Sequence, residues 1–268
     1  MIGRTGNTTQ CKWYSYLLFQ RKNEYNFILR GCRLLREFVV DLYICIERSR
    51  LNFIRINQPR LKVNLYQGVL EALDNDLDLN GSHIVLPSSL IGGPREMSQL
   101  FQDSMSLVRE FGHPSLFITM TANPHWPEIV EQLVPGKTSA DRPDIVTQVF
   151  YLKLQSMMRD LTKKNCLWKV VSYVYTVELQ KQGLPHAHIL LILDREYVPN
   201  TAHKADKLIL AELPNPQKCP NLYKLVTRNM LHGPFSARFA CWRNDKCKYG
   251  FPKPFSEHTM LVDGEYPI

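Results

Sequence analysis

Two histidines separated by one alanine stand at the head of an apolar run, Gly183-Leu184-Pro185-His186-Ala187-His188-Ile189-Leu190-Leu191-Ile192-Leu193. Side chains alternate faces along a β-strand, so His186 and His188 share one face while Ala187 points to the other. In a strand their Cα atoms lie about 7 Å apart, close enough for both imidazoles to hold one divalent metal ion. Unpaired imidazoles are costly to bury, so a pair opening a hydrophobic strand calls for partners. The small side chain of Ala187 suits a crowded interior. The competing reading is a chance pair among the eight histidines of the chain. The continuous apolar run that follows raises the metal reading above it.

The elements that must position this pair can be read nearby. Residues 170–177, rich in Val, Tyr and Thr, predict another strand, which ends at Glu178 with Gln180 close behind. Lys181-Gln182-Gly183-Leu184-Pro185 carries turn signals. Two adjacent antiparallel strands joined there bring Glu178 or Gln180 to the His pair. Residues 115–122 predict a further strand, followed by a turn at Asn123-Pro124-His125-Trp126-Pro127. A helix is expected from about Asp141-Arg142-Pro143-Asp144 to Lys164, with Ile145, Val149, Leu152, Leu154, Met158 and Leu161 inward. Another runs from Arg95 to Phe111, opened by Pro94 and capped by Gly112. The Ser-Gly-Gly backbone just before it could hold an anion, although such loops are more often plain turns.

Upstream, helical spacing of Leu29, Leu34, Leu35, Phe38, Val39, Leu42, Ile46, Leu51 and Ile54 predicts one long helix or two short ones over 27–58, ending before Pro59. A short helix over 61–73 and a polar loop from Asp74 to Ser82 follow. Downstream of Asp194 the pattern weakens into a Pro-marked linker, a short helix over 220–230 and a Gly/Pro-rich basic tail. The organisation is therefore α+β, with a helical region over 1–85, a core over 86–200 and a linker and tail over 201–268.

The chain has 268 residues, 44% hydrophobic and 22% charged, a globular composition. Its 33 Lys and Arg against 25 Asp and Glu give a net charge of +8, which favours polyanionic partners. The densest basic stretches are Arg48, Arg50, Arg55, Arg60 and Lys62, and Arg238, Arg243, Lys246, Lys248 and Lys253. Each reads equally as a solvated surface or as phosphate contacts. No apolar stretch approaches the length of a membrane span, and no secretory signal is evident. Seven scattered cysteines in such a chain suggest reduced thiols. His232, Cys241 and Cys247 could bind zinc, but Cys-x5-Cys is not a standard zinc spacing, so the spacing argues against zinc in the tail while leaving it open.

A series of segments, in order, is similar to Helitron-like transposon proteins. They are Leu51-Asn52-Phe53-Ile54-Arg55, Leu86-Pro87-Ser88-Ser89, Gly92-Gly93-Pro94-Arg95, residues 116–129, Asp141 to Val146, Tyr175 to Leu190, His232-Gly233-Pro234 and Phe251-Pro252-Lys253-Pro254-Phe255. The resemblance runs from about residue 12 to the end. It implies a replication-initiator domain of the HUH endonuclease class, with a ferredoxin-like antiparallel sheet, flanking helices and the His pair on a central strand. It further implies a nuclear protein that nicks and joins single-stranded DNA. A divalent metal, magnesium or manganese, would polarise the scissile phosphate, and a tyrosine would attack it. His186 and His188 correspond to the metal ligands. Glu178 is the first choice for a third ligand and Gln180 the second. Trp126, expected exposed on its turn or else a lid on the core, is the candidate base-stacking residue, with Arg95 and Lys181 as further DNA contacts. Neither a membrane nor a small-molecule substrate is implied.

The match departs from the family in three places. The twin-tyrosine motif and the helicase domain lie beyond Ile268, so the nucleophile is expected outside this chain and the chain to be inactive alone. Phe235 stands where the family has a cysteine, which weakens a zinc site in the tail. Tyr151, Tyr173 and Tyr175 are expected in core or surface roles. Two other functions remain open on the sequence: a catalytically dead DNA-binding remnant, and a metal-dependent hydrolase of another class.

Overall fold

The computed structural model describes residues 8–63, 84–180, 183–210, 212–232 and 241–261. The chain forms two compact units, residues 1–193 and 194–268, and the helical region expected over 1–85 belongs to the first. No helix among the described residues is long and apolar enough to cross a membrane.

The first unit opens with α1 (Gln10–Leu17), whose first turn is capped by the Thr9 hydroxyl accepting from Lys12 N–H. The apolar spacing expected over 27–58 becomes one helix, α2 (Arg33–Ile56), after a short turn at Ile28–Arg30. This helix ends before Pro59, as expected. A second helix, α3 (Gln58–Val63), starts one residue before it, and a proline in a first turn gives up an N–H that has no helical partner anyway. The rest of the helix expected over 61–73, from residue 64 on, and the loop at 74–82 lie outside the described residues. Pro94 opens α4 (Pro94–Phe111), and Gly112, at φ +93°, takes the left-handed conformation that ends it.

Three strands make the sheet: β1 (Leu116–Thr121), β2 (Val170–Leu179) and β3 (Pro185–Leu193). Their order is β1-β3-β2 and both pairings are antiparallel, so the histidine strand is central, as expected. The fold class is mixed α+β. Between β1 and β2 lie a one-turn helix, α5 (Pro127–Val130), and the long helix α6 (Pro143–Thr162). A capping box between Thr138 and Asp141 precedes α6, and Arg142 grips Asp144 through two bonds of 3.0 and 2.8 Å.

Helix α6 buries Val146, Phe150, Leu154, Met158 and Leu161, a stripe at spacings of three and four. Leu152, expected inward, is 65% exposed, because two positions along a helix turn a side chain about 200° away from such a stripe. The stripe packs on one face of the sheet, where Ala187, Ile189 and Leu191 of β3 are fully buried. Leu116, Ile118 and Met120 of β1 join the same cluster.

The second unit contains α7 (Ala202–Leu208), α8 (Pro220–Asn229) and a minimal hairpin of β4 (Trp242–Arg243) and β5 (Lys246–Cys247). The helix expected over 220–230 is there.

Ala187 faces the core directly opposite the His side of its own strand. Enlarging it overpacks the interface with α6 without touching the histidines. Ala187→Leu should lower unfolding stability by about 2 kcal/mol in urea titration. An unchanged midpoint would mean the space beneath β3 is looser than this packing.

Candidate metal centre

Register decides what shares a face with the histidines. His186 pairs with Thr121 on one side and Glu178 on the other, and His188 pairs with Thr119 and Thr176. Directly opposed residues in an antiparallel pair point the same way. The turn between β2 and β3 fixes this alignment: Gln180 N–H donates to Leu184 O, and Gly183, at φ +76°, turns the chain back.

The two imidazoles meet edge to face with centroids 4.5 Å apart. His186 is only 8% exposed, and its Nδ1 lies 2.6 Å from the Thr121 hydroxyl. That bond holds the ring and leaves Nε2 for a ligand. His188 Nε2 lies 3.0 Å from Glu178 Oε1, while the Phe117 ring stacks on the imidazole at 5.5 Å, nearly parallel. Donor atoms of Glu178, His186 and His188 all fall within 4.8 Å of one another. Two imidazoles and a carboxylate are ligands suited to divalent transition metals. The donor set therefore fits a divalent ion.

The other candidate residues are distributed differently. Gln180 follows the last residue of β2, two positions beyond Glu178. Arg95 is the second residue of α4. Ahead of it, Gly92 N–H donates to the Glu96 carboxylate, so the loop expected as a possible anion cradle already carries an anion of its own. Trp126 is half-buried rather than exposed on its turn: it packs against the core, and Lys153 Nζ sits 5.0 Å from its ring centroid while pairing with Glu128. Lys181 lies outside the described residues. Tyr173 and Tyr175 stand opposite Leu191 and Ile189, on the face away from the histidines, and with Tyr151 they line a cleft beside α6.

Sequence reasoning missed Thr121 and Phe117. Both sit on β1, and only the β1–β3 register relates them to the pair. The tail holds a second group that the spacing argument disfavoured: donor atoms of His232, Cys241 and Cys247 also come within 4.8 Å of one another. Burial pushes the Cys247 thiol up, but backbone N–H groups of Phe251, Tyr249 and Gly250, with Cys241 beside it, outweigh that and leave it below the ordinary thiol range.

Residues 13–191 match the family described as the Helitron helicase-like domain at the N-terminus. The chain belongs to this family. The match spans the whole of β1 and β2 and all of the histidine strand but its last two residues. No curated protein matches the chain significantly.

Manganese should raise the melting temperature of the protein, since an ion that binds only the folded state stabilises it, by about 2.7 kcal/mol at a hundredfold excess over Kd. His186→Ala with His188→Ala should remove that shift. Thr121→Val, which leaves both ligands in place, should weaken manganese binding about tenfold, as loss of a partner that orients a ligand does. An equal melting shift in the double histidine variant would place the ion elsewhere.

Proposed function

We propose that this Helitron-family domain binds single-stranded DNA and presents one of its phosphodiesters to a divalent metal held by His186, His188 and Glu178. The observation that carries this reading is the grouping of those three donors on one face of the sheet. In this reading the three strands and α6 are part of a ferredoxin-like fold, the domain works in the nucleus, and its chemistry is the nicking and joining of the HUH class.

Each residue has a task. Thr121 keeps His186 turned so that one ring nitrogen faces the site. Phe117 covers one flank of the His188 ring and keeps it upright on the strand. Glu178 balances charge and completes the donor set from the neighbouring strand. A magnesium or manganese ion bound there would supply Lewis acidity to the phosphate. Basic residues, Arg95 and Lys181 among them, would hold the DNA backbone, and the free part of the Trp126 ring would stack against a base.

Tyr173 and Tyr175 face away from the pair and Tyr151 lines the cleft on that far side, so none of the three is placed to attack the phosphate. Covalent capture needs a positioned hydroxyl, which on this reading comes from outside residues 1–268. Residues 1–268 with manganese and single-stranded DNA should therefore give no denaturant-resistant protein–DNA band. Such a band, lost in Tyr151→Phe, would overturn the assignment of an external nucleophile. Non-covalent binding should weaken steeply as salt rises, and anisotropy unchanged between low and moderate salt would remove the nucleic-acid reading altogether.

A further inference from the structure

We propose that residues 194–268 fold around a zinc ion held by His232 Nε2, Cys241 Sγ and Cys247 Sγ. This site is separate from the histidine strand and does not depend on the DNA reading.

The geometry suits zinc. In a tetrahedral site with ordinary zinc–nitrogen and zinc–sulfur bonds, neighbouring donors stand about 3.6 Å apart. His232 Nε2 lies 3.3 Å from Cys247 Sγ, and all three donor atoms are mutually within 4.8 Å. The imidazole is steadied by rings on two sides. Phe251 stacks on it at 4.4 Å, and Tyr249 meets it edge-on at 6.0 Å.

The hairpin explains why the cysteine spacing, though unusual, works. Asn244 and Asp245 both take positive φ, +50° and +56°, as the two-residue turn that joins twisted strands requires. The turn sets Cys247 opposite Trp242, and Lys248 N–H donates to Cys241 O at 2.7 Å, which draws the two cysteines together across the ribbon. Beyond Cys247 the chain wraps its own sulfur. Tyr249 N–H donates to Cys247 Sγ at 3.4 Å, and Gly250, at φ +69°, completes the turn by donating to Cys247 O. Amide N–H groups aimed at a sulfur stabilise it as a thiolate, the form that ligates metal.

Among its described residues the unit also lacks the usual alternative to a metal. Cys247 is its only buried residue among those described, while Leu210, Leu213, Leu222, Leu225, Met230 and Phe255 are exposed. Described residues that form no apolar core among themselves call for a crosslink, and all the described cysteines are free of disulfides. Two thiolates and an imidazole select zinc over magnesium or manganese, so the two sites of the chain would sort their ions by donor softness.

The test uses the full chain with cobalt as the spectroscopic probe. Bound cobalt should give a thiolate-to-metal charge-transfer band in the near ultraviolet. Cys241→Ser with Cys247→Ser should lose that band, and His186→Ala with His188→Ala should keep it. No band in the wild type, or a band that survives in the cysteine variant, overturns the proposal. Because the cysteine variant could lose the band by local unfolding, the wild type supplies a second reading. Loaded with zinc, it should shield Cys241 and Cys247 from a thiol reagent, and a chelator should expose both to it, identified by peptide mapping. Equal labelling with and without chelator also overturns it.

Discussion

The register of β3 between its two neighbours is the constraint on which the rest depends. A central strand bonded on both edges has no freedom to slide, and its side chains alternate strictly. Here one set, Ala187, Ile189 and Leu191, closes the core over α6, while the other, His186 and His188, carries the polar chemistry. A slip of one residue would drive two imidazoles into an apolar interior and lift the core residues into water. The cost of burying unpaired polar groups thus defends the site as strongly as it defends the fold.

Much of this was legible because β3 and its partners announce themselves locally. A run of β-branched and aromatic residues, a Gly/Pro turn and a second apolar run need no long-range information, and the acidic residue at the end of β2 falls within ten residues of His188. Thr121 and Phe117 were hidden for the opposite reason. Nothing near Thr121 in sequence ties it to a histidine 65 positions away, and Phe117 is as remote from His188; only backbone pairing relates them. Leu152 was misplaced by a helical phase error, while of the two readings of Trp126, exposed ring or lid on the core, the packing of the ring against the core favours the lid. In the tail, the cysteine spacing is not a standard zinc spacing, yet the donor atoms of His232, Cys241 and Cys247 lie within 4.8 Å of one another. A tight turn of Asn244 and Asp245 reaches the same proximity by another path.

The two donor groups differ in kind. On the sheet, nitrogen and oxygen donors stand at the edge of a well-packed core and lean on hydroxyl and aromatic neighbours. In the tail, sulfur and nitrogen donors sit where packing is thin, and the main chain itself supplies the supporting bonds. A rigid scaffold can hold an incomplete ligand set ready for exchange. A thin one has to be held together by what it binds.

The wiring of His186 also bears on the order in which the molecule assembles. Its two partners arrive from opposite edges of the sheet, Glu178 across a tight turn and Thr121 across a long excursion that includes all of α6. Closing a short loop is fast, and closing a long one carries a larger entropic toll. The β2–β3 hairpin can therefore gather two imidazoles and a carboxylate early, yet His186 stays free to rotate until β1 docks. The three donors therefore reach their full arrangement late in the life of the nascent chain, and a polypeptide released before its sheet is complete presents the histidine pair without the bond that orients it.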